Sequence, residues 1–171
     1  MRKILVVVDM QKDFVDGALG SIDAAAIVDN VVNKINAFDG EIFVTFDTHF
    51  ENYMETSEGR NLPVPHCIKG TDGWALDKKV EKALDGKEYT KVEKLTFGSV
   101  DLPRLIGDGE KEIELIGLCT DICVVSNALI LKASFPECEI KVDSLCCAGV
   151  TPAAHNAALM TMKSCQIKVE E

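Results

Sequence analysis

The chain has 171 residues, a length that suits one compact domain, and we expect a single domain over residues 1–171. Hydrophobic residues make up 47% of the chain and charged residues 27%, which provides for a buried core and excludes a disordered protein. Twenty-eight acidic residues against 18 basic ones give a formal charge of −10, so neither a nucleic acid nor an anionic membrane is expected as a partner.

The first predicted element is the apolar run Lys3–Val8, which has the length of a strand rather than of a membrane span. It ends at Asp9, and no small-residue cleavage site follows, so it is not a signal peptide. Seven cysteines without a CxxC pair indicate mostly buried apolar thiols rather than a disulfide scaffold or a zinc ribbon. These features predict a cytoplasmic protein.

Strand and helix patterns alternate along the rest of the chain. Ser21 is a predicted N-cap for one amphipathic helix, with apolar positions at Ile22, Ala25, Ala26, Val28, Val32 and Ile35. The later predicted elements are strand Glu41–Phe46, helix Ala75–Leu84, strand Tyr89–Glu93, helix Val100–Ile106, strand Glu112–Gly117, a helix to about Ser134, strand Glu139–Val142, helix Thr151–Lys163 and strand Gln166–Val169. This alternation predicts an α/β fold, with a mostly parallel six-stranded sheet between two layers of helices.

Chemistry-bearing residues follow several of these strands. Ligands of parallel sheets bind at the carboxyl ends of strands, which directs attention to Asp9, Asp47, Lys94 and the segment after Leu118. Neither GxGxxG nor GxxxxGK[ST] occurs, so no pattern supports a dinucleotide or P-loop site. Residues 48–73 are polar, rich in proline and glycine and without a clear period; a loop of this length is usually functional.

Three of these residues are candidates for nucleophilic chemistry. Asp9 is either a desolvated carboxylate with a raised pKa or an exposed strand cap. Cys123 is either a thiol that a helix N-terminus pushes toward thiolate or an inert buried cysteine. Lys94 alone reads as a surface lysine, but beside Asp9 and Cys123 it would stabilise both anions and lower the thiol pKa.

The polar loop also contains a candidate metal site. Asp47 and His49 alternate at a strand end and so share a side, while His66 and Glu58 lie further along the loop. Two imidazoles with carboxylates suit a first-row divalent ion such as Zn, Fe or Mn. The third histidine, His155, is interpreted as structural.

Five motifs, in this order and spacing, resemble those of the isochorismatase-like cysteine hydrolases, and among them most closely the nicotinamidases. They span nearly the whole chain and comprise residues 8–14 (VDMQKDF), 46–49 (FDTH), 65–67 (PHC) with Gly70 and Thr71, 93–94 (EK) and 117–124 (GLCTDICV). The resemblance implies the fold of that family and an amide hydrolase acting on C–N bonds.

The resemblance also assigns roles to residues. It implies a catalytic triad of Asp9, Lys94 and Cys123, and a cis peptide before Cys119 that aims the Cys119 N–H inward. With the Cys123 N–H it would form an oxyanion hole. It further implies one bound divalent metal ion, with zinc favoured over iron or manganese, held by Asp47, His49 and His66, with Glu58 as an additional ligand in some relatives.

The substrate pocket departs from the pattern of the family. Many relatives have an aromatic residue shortly before the second metal histidine, where this chain has residues 63–65 (PVP), and the segment after the lysine is shorter. Phe14, Leu19 and Phe97 are the predicted pocket walls, with Trp74 as a further candidate.

The resulting hypothesis is metal-assisted hydrolysis of nicotinamide to nicotinate and ammonia through a thioester, as a step of NAD salvage in pyridine nucleotide biosynthesis. One alternative is hydrolysis of another small amide or ureide. A second, from a different class, is a catalytically silent ligand-binding α/β domain. The resemblance also leads us to expect a small-molecule amide substrate and a homo-oligomer.

Overall fold

A computed structural model describes residues 1–171 as a parallel sheet between two helical layers. The strands are β1 (Arg2–Val8), β2 (Glu41–Asp47), β3 (Tyr89–Lys94), β4 (Lys111–Leu118), β5 (Glu139–Ala148) and β6 (Lys168–Glu170). The helices are α1 (Lys12–Val15), α2 (Ile22–Ala26), α3 (Val28–Ala37), α4 (Ser57–Asn61), α5 (Lys78–Leu84), α6 (Leu102–Ile106), α7 (Val125–Ser134) and α8 (Pro152–Ser164). No helix combines the length and hydrophobicity that crossing a membrane requires.

The sheet has six strands in the order β3-β2-β1-β4-β5-β6, and every neighbouring pair is parallel. Strand β1 is central and apolar from Ile4 to Val8 because both of its faces are covered there: Leu5 and Val7 belong to the core under α1–α3 and α5, and Val6 and Val8 to the core under α6–α8. The predicted α/β fold is confirmed. The order reverses between β1 and β4, so their carboxyl ends border a crevice.

The single amphipathic helix predicted after Ser21 was wrong. Ser21 does cap a helix, accepting a hydrogen bond from the Ala24 N–H at 3.0 Å, but this helix ends after five residues and α3 begins at Val28. The break at Ile27 ends the helical period counted from Ser21. Ile22 is consequently 90% exposed, while Ala24 and Ile27 are buried.

Among the other element boundaries, two differ most from the prediction. Strand β5 runs six residues beyond Val142, through the polar Asp143 and Ser144, with an irregular register opposite Leu115–Gly117. The helix predicted from about Asp121 begins instead as a π-helical turn, Thr120–Val124, that leads into α7.

The polar loop after β2 is compact rather than structureless. It contains the 3-10 turns Tyr53–Glu55 and Asp72–Trp74 as well as α4, and His49 pairs with Ile68 in an isolated bridge. Tyr53 is buried beneath it. The loop therefore forms a fixed wall at the carboxyl edge of the sheet.

Candidate active site

Three side chains that follow separate strands meet at this edge: Asp9 after β1, Lys94 at the end of β3, and Cys123 in the π-helical turn after β4. The Lys94 ammonium lies 2.6 Å from Asp9 Oδ2 and donates to Cys123 Sγ at 3.4 Å and to the Thr96 carbonyl at 3.2 Å. Asp9, Lys94 and Cys123 are all buried. The structure thus brings together the three residues that the sequence nominated.

The backbone around Asp9 is unusual for a non-glycine residue, with a φ of +46°. The Asp9 N–H donates to the Thr45 carbonyl at 3.2 Å, and the Thr45 hydroxyl donates to Asp9 Oδ1 at 2.6 Å. On the other side, Gly117 lies so close to β1 that a Cβ atom there would be 2.1 Å from the Val8 carbonyl oxygen. These contacts fix where the Asp9 carboxylate points. The Leu118–Cys119 peptide bond is cis, as the resemblance implied.

Burial and the Asp9 carboxylate raise the pKa of the Cys123 thiol well above its ordinary value, and the Lys94 ammonium opposes them only in part. Lys94 thus lowers the thiol pKa as expected, but burial and Asp9 outweigh it and the net shift is upward. Burial also raises the pKa of Asp9, against the Lys94 charge. Although burial alone would lower it, the pKa of Lys94 is raised by Asp9, Cys123 and Asp47. Asp9 Oδ2 accepts no regular hydrogen bond besides its ion pair, so a lone pair stays open to a proton.

Asp47, His49, Glu58 and His66 form a second cluster beside the triad, with one ligand atom of each within 4.8 Å of the others. His49 Nε2 lies 2.9 Å and His66 Nε2 3.5 Å from Asp47 Oδ2. Although burial would raise it, hydrogen bonds from the two histidines and the Lys94 charge hold the pKa of Asp47 well below its usual range.

This donor set fits a divalent metal ion. The Nδ1 atom of His66 lies 2.8 Å from the Val64 carbonyl, which can only accept, so Nδ1 carries a proton and Nε2 is the atom that faces the cluster, where it would supply a lone pair to a bound metal ion. Two imidazoles and two carboxylates match the ligand preferences of zinc, iron or manganese.

Three residues that the sequence analysis did not nominate hold these groups in place. Thr45 binds Asp9, as described above. The Gln11 side chain accepts from the Asp47 N–H at 2.8 Å and donates to the Asp47 carbonyl at 2.9 Å. The buried Tyr53 ring packs edge-on against His49 and His66, with centroids 4.8 and 5.1 Å away. The sequence contained a signal for two of them: Tyr53 is a single tyrosine within a polar loop, and Gln11 lies in the motif of residues 8–14. Thr45 gave none.

A small cavity of about 50 Å³ joins the triad to the metal cluster. Its walls include the three predicted pocket residues, Phe14, Leu19 and Phe97, and also Leu62 and Ile122, which were not predicted. Cys119 and Cys123 lie on the cavity wall. A water needs roughly 10 to 15 Å³ by this measure, so the cavity holds about four waters or one small planar molecule.

Two other candidates lie elsewhere. Trp74 packs on Phe46 and donates to the Thr48 hydroxyl at 3.0 Å, away from the cavity wall. His155, on α8, has Nδ1 within 2.7 Å of the Thr120 hydroxyl and belongs to neither the triad nor the metal cluster.

The arrangement agrees with comparisons against known proteins. Residues 3–171 match the model of the isochorismatase domain family. The chain is 31% identical over 143 residues to the uncharacterized isochorismatase family protein PncA of Bacillus subtilis (strain 168), which covers 75% of this chain and 78% of that protein. It is 25% identical over 183 residues to the nicotinamidase/pyrazinamidase of Mycobacterium tuberculosis, covering 98% of this chain and 97% of the relative.

Solved structures show the same similarity. The crystal structure of nicotinamidase/pyrazinamidase PncA from Bacillus subtilis has a TM-score of 0.84 and 29% identity, with 100% of both chains covered. That of the pyrazinamidase of Pyrococcus horikoshii in complex with zinc has a TM-score of 0.84 and 28% identity, covering 100% of this chain and 99% of the other. The chain therefore belongs to the isochorismatase family, as its motifs predicted, and is a nicotinamidase-like hydrolase.

Proposed function

We propose that this chain hydrolyses nicotinamide to nicotinate and ammonia, with Cys123 as the nucleophile. The observation that carries the proposal is the Lys94 ammonium, which contacts Asp9, Asp47 and Cys123 at 2.6, 3.2 and 3.4 Å beside a small cavity that Asp47 and Cys123 line. Phe14 and Phe97 line that cavity and suit a flat ring. The relatives named nicotinamidase/pyrazinamidase support the same substrate.

The reaction begins with the proton of Cys123. Because the pKa of the thiol is raised, the resting group is the thiol, and attack requires a base at the moment of bond formation. Asp9 is that base: Thr45 holds its Oδ1 atom, and its Oδ2 atom contacts Lys94 and has a further lone pair for the proton. Lys94 keeps its charge throughout, since the surrounding anions raise its pKa.

The sulfur then bonds to the amide carbon, and the carbonyl oxygen becomes an oxyanion that the N–H groups of Cys119 and Cys123 stabilise. The C–N bond breaks as Asp9 returns its proton to the leaving nitrogen, which departs as ammonia and leaves a thioester. Asp9 next removes a proton from water, whose oxygen attacks the thioester. The C–S bond breaks as Asp9 returns this proton to the sulfur, which regenerates the Cys123 thiol, and the acid product loses its proton to solvent and leaves as nicotinate.

Asp47, His49, Glu58 and His66 would hold a divalent metal ion at the other end of the cavity, zinc being the ion bound in the Pyrococcus horikoshii relative. When bound, the ion supplies a coordination position for a ring nitrogen, which a pyridine offers and a simple linear amide or ureide lacks. The cluster therefore favours nicotinamide over those alternatives.

The test is ammonia release from nicotinamide by the purified, metal-loaded protein, beside Cys123→Ala and the matched control Cys165→Ala, an exposed thiol outside the site. We expect turnover in the unmodified protein and in Cys165→Ala, and none in Cys123→Ala. Substantial turnover in Cys123→Ala contradicts the nucleophile. Absence of turnover in the unmodified protein contradicts the substrate and leads to a panel of other small amides.

A further inference from the structure

The cavity at Cys123 adjoins a wider surface groove of about 620 Å³. Glu58, Leu62, Phe97 and Ile122 border both spaces, so the groove and the cavity are direct neighbours. The inner cavity has room for one small ring with its amide group. The groove has more than ten times the volume of the cavity, and nothing in the reaction described above uses it.

The lining of the groove combines two kinds of group. Its apolar side chains are exposed: Leu95 is 64%, Phe97 47% and Leu62 39% exposed. Thr56, Ser57 and Asn61 add neutral hydroxyl and amide groups.

Beyond the metal-cluster residues His49 and Glu58, no charged side chain lines the groove. The nearby Lys94 ammonium is buried and already engaged by two carboxylates. A negatively charged group in the groove would find no free cation, whereas an apolar group would cover exposed apolar surface.

Both walls of the groove are fixed before any ligand arrives. The Tyr53 hydroxyl donates to the Leu62 carbonyl at 2.9 Å, which ties that wall to the buried ring between the histidines. On the opposite wall, the Thr96 carbonyl accepts from Lys94 at 3.2 Å, and the Thr96 hydroxyl donates to the Gly98 carbonyl at 2.7 Å. A preformed groove loses little conformational entropy when it binds a ligand.

The groove shares side chains with the cavity, its apolar surface is exposed, and its walls are preformed. On these grounds, and resting on the proposed function, we propose that the groove is a second substrate subsite. It takes a neutral apolar or aromatic substituent on the ring of a carboxamide whose amide group lies at Cys123. The enzyme would then act on a class of ring-substituted aryl carboxamides and discriminate against amides that bear a carboxylate or a phosphate.

The experiment measures ammonia release from nicotinamide and from nicotinamides with one benzyl group at each free ring carbon in turn. We expect kcat/KM for at least one benzyl compound to be between equal to that for nicotinamide and about tenfold higher, because the groove buries the added ring. A 4-carboxybenzyl group at the same carbon should lower kcat/KM at least about tenfold relative to benzyl.

Two variants distinguish an effect of the groove from a general effect of adding a surface charge. Leu95→Asp places a charge inside the groove, and it should lower the ratio of kcat/KM for the best benzyl compound to that for nicotinamide about tenfold. Val100→Asp makes the same change at an apolar residue that is 79% exposed and outside the groove, and should leave the ratio unchanged.

If nicotinamide is hydrolysed and kcat/KM for every benzyl compound is lower than that for nicotinamide, the second subsite is overturned and the proposed function stands. The same result is expected if a second copy of the chain covers the groove. An unchanged ratio in Leu95→Asp overturns the second subsite as well. Turnover of a benzyl compound without turnover of nicotinamide supports the groove and contradicts the substrate named above. No turnover of any compound overturns both.

Discussion

Asp9→Asn gives the sharpest test of the catalytic arrangement because it changes one oxygen to an amide with almost no change in size. The variant can still accept the Thr45 hydroxyl at Oδ1, but its amide nitrogen faces the Lys94 ammonium where Oδ2 lies 2.6 Å away. It cannot take the proton of Cys123. General-base catalysis contributes about 10² to 10⁴ in rate, so we expect kcat to fall by at least about 10².

The same substitution should raise the chemical reactivity of Cys123. The Asp9 charge is one cause of the raised thiol pKa, so its removal lowers that pKa and increases the thiolate fraction at neutral pH. Iodoacetamide should therefore alkylate Cys123 faster in the variant, although turnover is lost. The free energy of unfolding should fall by about 3 kcal/mol, the lower end for a broken buried ion pair, because Lys94 keeps its contact with Asp47 at 3.2 Å.

Three assays decide the matter: ammonia release, alkylation followed by mass spectrometry, and urea unfolding, each with Asp16→Asn as an exposed carboxylate control. The control should behave like the unmodified protein in all three. A folded Asp9→Asn protein whose kcat stays within about tenfold of the unmodified value would refute Asp9 as the base. Slower alkylation in the variant would refute the electrostatic account of the thiol.

The remaining predictions concern the metal, the pH dependence of stability and the sheet. Removal of metal by a chelator should raise KM for nicotinamide more than it lowers kcat, and unchanged constants would exclude a positioning role. Burial alone would raise the pKa of Asp143, but Lys34 lowers it, so the pair contributes stability above about pH 4 that is lost as the pH falls toward the lowered pKa. The difference in unfolding free energy between the unmodified protein and Asp143→Asn, measured by urea unfolding, should therefore shrink over that range. A constant difference would contradict this account. Gly117→Ala should lower the free energy of unfolding by at least about 2 kcal/mol more than the control Gly86→Ala does, as measured by thermal unfolding. Both glycines have positive φ, but only at Gly117 would the added Cβ meet a backbone oxygen, that of Val8, at 2.1 Å. Equal losses of stability in the two variants would exclude that clash.

The sequence was sufficient to predict the sheet because β1 contains a continuous apolar run and its neighbours β2 and β4 are mostly apolar, as strands buried on two faces must be. It was insufficient at β5, where Asp143 and Ser144 interrupt the pattern within a strand. Asp143 tolerates that position because Lys34 pairs with it at 2.8 Å, and the two residues are far apart in the chain. The split at Ile27 likewise depends on how α2 and α3 pack, which the local period does not contain.

The candidate active site was likewise predicted only in part. Strand-end position nominated Asp9 and Lys94, because the carboxyl ends of parallel strands meet at one edge. The supporting residues Thr45 and Gln11 were missed, since each acts through a partner on a neighbouring strand. The net shift of the Cys123 pKa was left open by the sequence because a pattern of residues gives the neighbouring charges but not the depth of burial.

Lys94 also constrains how this chain can change over generations. Its single ammonium serves both the Asp9 carboxylate of the triad and the Asp47 carboxylate of the metal cluster. A descendant that loses the Asp47 carboxylate still has a neutral Asp9–Lys94 pair, whereas one that loses Lys94 has two buried negative charges at once. Mutational drift can therefore dismantle the metal cluster one residue at a time, and the descendant one step away is an amidase without metal rather than a metal protein without a triad.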